Sequence, residues 1–284
     1  LWDLYKRAQT PYGWHKKLFE YSKRIGIKIF STPFDESAVD FLEKLNCPLY
    51  KVASYEMMDL PLIKKIATTK KHIIISTGMA SFDEISYTFN QAKKFGAKKI
   101  SLLYCVSNYP SKTSDFNLNN IKIMKKKFKC EIGFSDHSKD SRIASAAANI
   151  GATIIEKHIS LKDVEALDSE FSISGEEILN YKKVINNPKL ISKNSSFYKK
   201  LLGKKKFFRN KSEDKSKKFR RSIFVVKNLK KGDVFTKNNI RKIRPGYGLS
   251  PIYYEKILGK ICSFQIKANE PLTKKLLKRM KIKI

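Results

Sequence analysis

The 284 residues are 42% hydrophobic and 12% aromatic, the balance of a globular chain with room for one large domain and a small one. No run of 18 apolar residues occurs and "LWDLYKRAQTPYGWHKK" carries no apolar h-region, so neither a transmembrane helix nor a signal peptide is expected. A formal charge of +33 invites a nucleic-acid partner. However, the lysines are spread along the whole chain without an RNP signature, zinc finger or basic heptads, so the charge reads as a field that favours small anionic substrates.

The start lacks an initiating Met, and the expectation is a chain that begins inside a longer one. After a helical stretch holding Trp14-His15, the first apolar, β-branched run is "GIKIFSTPF" (26–34), ending in Ser31-Thr32. An amphipathic helix, "ESAVDFLEKL", leads to "PLYKVAS" (48–54), ending in Ser54. His72 opens the next run, "HIIISTGM" (72–79), which ends in Ser76-Thr77 and precedes the helix "FDEISYTFNQAKKFGA". "KISLLYCVSNYP" (99–110) follows with Ser107, then "CEIGFSDHS" (130–138) with Ser135-Asp136-His137. "SRIASAAANIGA", small enough for close helix–sheet packing, separates that run from "ATIIEKHIS" (152–160), which ends in Lys157-His158.

Strand–helix alternation with near-continuously apolar strands predicts a parallel sheet covered on both faces. Polar groups at the C-terminal ends of successive strands predict a TIM-type (β/α)8 barrel, and no G-x-G-x-x-G supports the doubly wound competitor. Six of eight units are visible, and the two missing ones would precede Leu1. Residues 1–187 are therefore expected to be a barrel domain that is incomplete at its N-terminus. Residues 188–218, polar and basic, read as a linker. Residues 219–284, with short strands and turns at Lys231-Gly232-Asp233 and Pro245-Gly246, read as a small β-rich domain.

Only four histidines occur, and His137 and His158 lie one strand–helix unit apart at equivalent ends of neighbouring strands. Adjacent strands are about 4.8 Å apart, so both imidazoles can reach one ion while leaving positions for water and substrate oxygens. That is a Lewis-acid site rather than a closed structural one. Asp136 and Glu156 would be acceptors beside the ligands. The competing reading makes each histidine an ordinary core residue, as His15 and His72 are taken to be. Cys47, Cys105, Cys130 and Cys262 form no C-x-x-C pair and read as buried, reduced and structural, which points to a reducing, cytoplasmic setting.

In this order, "STPFDESAVDFLEKL", "YKVASYE", "IISTGMASFDEI", "CVSNYP", "GFSDHS" and "IEKHI" resemble the sialic acid synthases, which condense phosphoenolpyruvate into nonulosonic acids. The tail, "RRSIFVVKNLKKGDVFTKNNIRKIRPGYGLSP", resembles their C-terminal antifreeze-like (SAF) domain. Where sialate and legionaminate synthases carry a "GPD" loop, residues 162–174 read "KDVEALDSEFSIS", and the resemblance is then nearest to the pseudaminic acid synthases.

The resemblance implies metal-dependent condensation of phosphoenolpyruvate with 2,4-diacetamido-2,4,6-trideoxy-L-altrose, with N-acetylneuraminate or legionaminate synthesis as alternatives. It implies Mn2+ or Mg2+ on His137 and His158, and phosphoenolpyruvate bound by Thr32, Lys51, Ser54, Ser76, Ser107 and Ser135. It makes Glu56 the acid/base, gives Tyr109 and Asp168 sugar contacts, and has Arg244 reach a partner's site in a homodimer with exchanged C-terminal domains. Two remoter readings stay open: a Schiff-base aldolase using Lys51 or Lys157, and a polyanion-binding module.

Overall fold

The computed structural model describes residues 2–187 and 190–284. β1 (Leu49–Val52), β2 (His72–Ser76), β3 (Ile100–Cys105), β4 (Glu131–Asp136) and β5 (Ile155–Lys157) form one sheet with neighbours in sequence order. Every pairing in it is parallel. Consecutive strands lying side by side is barrel order, because a doubly wound sheet reverses at a switch point. All of β3 is buried, which is why "ISLLYC" shows no alternation. The sheet is the half-barrel of a TIM-type fold.

The helices begin at α1 (Trp2–Ala8), α2 (Tyr12–Arg24) and α3 (Glu36–Lys44). Crossovers between successive sheet strands are α4 (Leu60–Thr68), α5 (Phe82–Lys94), α6 (Asn119–Phe128) and α7 (Ser141–Asn149). Their starts are written locally. Asp35 accepts from the Ala38 N–H, Asp59 from that of Leu62 and Asp140 from that of Arg142, while Ser81 and Glu84 form a capping box.

Gly133, inside β4, pairs with Leu103 of β3. A Cβ there would stand 2.5 Å from Leu103 Cδ2 and 2.6 Å from the Ile154 carbonyl oxygen. Gly133→Ala is therefore expected to cost about 1–3 kcal/mol through overpacking, read as a lower denaturation midpoint. An unchanged midpoint would show that the sheet yields there.

The run 26–34, expected as a strand, makes a single bridge, Ser31 to Tyr50. Ile27 and Phe30 are exposed and nothing pairs with the outer side of this segment among the described residues, so the edge does not develop a ladder. The run 152–160 divides at His158. β5 stays in the main sheet, while β6 (Ile159–Ser160) pairs with β7 (Ile173–Ser174), a strand inside the stretch read only as a loop.

α8 (Ile178–Ile185) then packs on α7, whose buried Ala144, Ala146 and Ala147 permit a close approach. Residues 190–218 are no loose linker. Ile191 and, on α9 (Ser196–Leu202), Tyr198 and Leu201 join the barrel core, and a run of 3-10 turns covers Lys211–Phe219. Pro188 and Lys189, in the expected linker, lie outside the described residues.

A second core holds Ile223, Val225, Phe235, Ile240, Ile257 and Leu272. It is built on antiparallel β8 (Ser222–Val225) and β9 (Ile240–Ile243), with short α10 (Tyr254–Ile257) and α11 (Lys274–Arg279). α11 went unforeseen, although Thr273 caps it. No helix among the described residues is long and apolar enough to cross a membrane.

Candidate active site

Parallel register delivers the strand-end polar residues to one rim: Lys51 ends beside β2, and Ser135 lies level with Glu156. Together they line a cleft of about 430 Å3. Of the residues expected there, Thr32, Lys51, Ser54, Ser76, Tyr109, Ser135, His137, His158 and Arg244 all face it.

Lys51 is buried, donates to Ser76 Oγ at 2.7 Å, and lies 3.3 Å from Glu156 Oε1. Ser135 Oγ also donates to Glu156, at 2.7 Å. Ser54 Oγ accepts from the Gly78 N–H at 3.0 Å. A buried ammonium ringed by hydroxyls is a binding place for a small anion, since charge-assisted donors are the strong ones.

The two histidine rings lie 5.3 Å apart, centroid to centroid. His137 Nδ1 is 2.8 Å from the Val106 carbonyl oxygen, an atom that only accepts, so Nδ1 carries the proton and Nε2 the lone pair. His158 Nδ1 faces the Asp168 carboxylate at 3.1 Å, which fixes the same tautomer. Burial pushes both imidazoles below their ordinary pKa, and for His158 the neighbouring His137 adds to the effect. Both are therefore neutral at physiological pH, the form a metal requires. Two lone pairs, each oriented by an acceptor on the far nitrogen, fit a divalent ion that takes its other ligands from water or substrate. No group of three or more His, Cys, Asp or Glu is arranged to hold one among the described residues.

Three expected residues stand off the cleft wall. Asp168 is mostly exposed and acts on His158. Ser107 is fully buried, with its Oγ unpartnered and close to where a Gly78 Cβ would stand. Glu56, which the resemblance makes an acid/base, is wholly buried behind the cleft. Its Oε1 accepts from Arg244 Nη2 at 2.8 Å and from Arg221 Nε at 3.3 Å. Arg244 also stacks 5.0 Å over Tyr55 and reaches the Tyr5 hydroxyl, so the small domain closes the cleft of its own chain.

Lys157, a rival amine, donates to the Ser138 carbonyl and sits 3.4 Å from Asp136, which also accepts from the Tyr181 hydroxyl. An amine so occupied is a poor nucleophile. Cys105, read as merely structural, lines the cleft 3.6 Å from Ser54 Oγ, and burial raises its thiol to about 11, so it stays protonated. Cys130 is only half-buried.

Glu156, expected as an acceptor beside the histidines, and Lys157, expected only in the aldolase reading, both line the cleft. Sequence reading missed the segment that braces the rim. Arg209 donates to the carbonyls of Thr77, Ala80 and Cys105, and Glu213 accepts from the N–H groups of Met79 and Ser107. Charges isolated in a basic stretch gave no periodic signal to find them by.

The model of the NeuB family matches residues 1–195, and that of the SAF domain matches residues 220–278. A pseudaminic acid synthase of Helicobacter pylori is 39% identical over 276 residues, covering 96% of this chain and 78% of its own length. An N,N'-diacetyllegionaminic acid synthase of Campylobacter jejuni is 36% identical over 260 residues, covering 90% of this chain and 75% of its own. The crystal structure of the Bacillus subtilis spore coat polysaccharide biosynthesis protein spsE superimposes with a TM-score of 0.83 at 28% identity, covering 93% of this chain and 77% of that one. With its half-barrel, strand-end cleft and SAF domain, this chain belongs to the NeuB family, whose members are phosphoenolpyruvate-condensing transferases of nonulosonic acid biosynthesis.

Proposed function

We propose that the chain is a pseudaminic acid synthase, condensing phosphoenolpyruvate with 2,4-diacetamido-2,4,6-trideoxy-L-altrose to give pseudaminic acid and phosphate. The observation that carries the reading is one cleft holding Lys51 among Ser54, Ser76 and Ser135, beside two neutral histidines. The sugar assignment draws support from the Helicobacter pylori relative and from the 162–174 loop, which brings Asp168 to His158.

Lys51 and the serines bind phosphate and carboxylate oxygens, and an arriving anion competes with Glu156 for the ammonium. Binding orients the methylene carbon toward the sugar, whose amide Arg244 holds by donating to its carbonyl. Tyr109, packed 4.2 Å over His137, bounds the sugar side of the cleft. The methylene carbon attacks the aldehyde carbon and a C–C bond forms, while the aldehyde oxygen takes a proton. Water adds its oxygen to the cationic C2 and loses a proton, which balances the one taken by the aldehyde oxygen. The tetrahedral centre then collapses to the C2 carbonyl as its C–O bond to phosphate breaks, the hydroxyl proton leaving with the phosphate.

His137 and His158 would hold Mn2+ or Mg2+ through their Nε2 lone pairs. Such an ion supplies a Lewis acid to the aldehyde oxygen. Glu56, whose Oε1 accepts from both Arg244 and Arg221, fixes Arg244 rather than exchanging protons. In a homodimer with exchanged C-terminal domains the same Glu56–Arg244 contact would run between subunits.

The test is phosphate release from phosphoenolpyruvate with N-acetylmannosamine, the legionaminate precursor or the L-altro sugar, each with manganese and with EDTA. Turnover with the L-altro sugar alone, lost in EDTA, is expected. Turnover with another sugar would keep the chemistry and overturn the sugar assignment. The legionaminate outcome has its own support in the 36% identity of the Campylobacter jejuni relative.

A further inference from the structure

We infer that Glu213 is a positioning residue for the phosphoenolpyruvate end of the cleft, through which the connector after α9 sets the loops that follow β2 and β3. Glu213 is 2% exposed and reaches the rim from outside the barrel units. Its Oε1 accepts from the Met79 N–H at 2.7 Å and the Ser107 N–H at 2.9 Å, so one oxygen ties two loops together.

The connector takes the other side of both residues as well. Ser216 Oγ donates to the Ser107 carbonyl at 2.7 Å, and Arg220 Nη2 donates to the Met79 carbonyl at 3.3 Å. Met79 has φ +54°, a left-handed conformation that is strained for a side-chain-bearing residue and persists only where surroundings impose it. Between these anchors sit Gly78, whose N–H meets Ser54 Oγ, and the unpartnered Ser107 Oγ. Ser54 Oγ, on the cleft wall, thus meets the amide next to the Met79 that Glu213 holds, and the carboxylate acts on the cleft without lining it.

This inference rests on the functional reading above. Glu213→Ala, Glu213→Gln and Ser216→Ala would be compared by steady-state kinetics and by amide exchange at Met79 and Ser107. Loss of a charge-assisted acceptor shared by two amides is expected to raise KM for phosphoenolpyruvate about tenfold in Glu213→Ala, with kcat and the sugar KM within about threefold. Exchange at both amides should accelerate together. Glutamine keeps an acceptor oxygen, so Glu213→Gln should stay within about threefold of the parent.

A merely structural role would lower kcat through loss of folded enzyme and leave KM alone. Should Glu213→Ala fail to fold, Ser216→Ala decides: a phosphoenolpyruvate KM raised about two- to fivefold supports the coupling, and an unchanged one overturns it. If the parent releases no phosphate from phosphoenolpyruvate, the functional reading fails. The exchange comparison then stands alone, and equal rates at Met79 and Ser107 in the alanine variant and the parent overturn the positioning role.

Discussion

His137→Ala and His158→Ala are each expected to lower phosphate release by about 1,000-fold or more, a loss of roughly 4 kcal/mol of transition-state stabilisation. Each imidazole is neutral, oriented by an acceptor on Nδ1 and left with one lone pair on Nε2. Removing either halves the protein's ligand set for the ion. Wild-type enzyme in EDTA should fall to the same residual rate. Manganese should then restore the wild type and neither variant, which separates loss of the metal from loss of the fold. His137→Ala also removes the shorter of two donors to the buried Val106 carbonyl, leaving Ser111 Oγ at 3.3 Å, a cost of about 0.5–1.5 kcal/mol to be checked by thermal melting. Full activity of the chelated wild type would remove the metal from the reading.

Arg209→Ala should be the most damaging substitution outside the cleft. The guanidinium donates to Ala80 O at 3.0 Å and Cys105 O at 2.6 Å, and to the Thr77 carbonyl, with Glu213 Oε2 at 3.7 Å. Truncation leaves these carbonyls short of a donor and takes the counter-charge from an almost fully buried carboxylate, with the Met79 and Ser107 amides still on its Oε1. Breaking a buried pair in this way costs about 3–5 kcal/mol, which in a chain of this size lowers Tm by on the order of 10 °C. Arg209→Lys should fall between, since an ammonium keeps the charge but cannot fork to separate carbonyls. A Tm within about 2 °C of the parent in Arg209→Ala would show that the connector is not anchored there.

How far the sequence could be read depended on range. The apolar runs of β1 to β4 are local, and these strands lie within the runs that the pattern marks. The strand-end hydroxyls and the histidine pair were legible because parallel register repeats one geometry unit after unit. Residues 26–34 have strand composition but no neighbour on the outer side among the described residues, and composition cannot report a partner. β7 is two residues long, below any periodic signal. Arg209 and Glu213 looked like linker charges because their partners lie 104 to 134 positions away. The resemblance makes Glu56 an acid/base, and nothing local shows the two arginines that reach it from the next domain.

The division of one expected strand at His158 bears on how sugar preference can change. The His158 carbonyl accepts from the Ile173 N–H at 3.0 Å, and β6 and β7 pair immediately beyond it. Residues 161–172 therefore leave and return at one knot beside the histidine. Such a stretch can vary in sequence while the knot keeps the His158 backbone in place, provided an acceptor stays where Asp168 meets the imidazole and a ring where Phe171 packs on it. If this stretch sets the sugar preference, as the proposed function has it, a transplant of it between relatives is expected to shift that preference without redesign of the barrel.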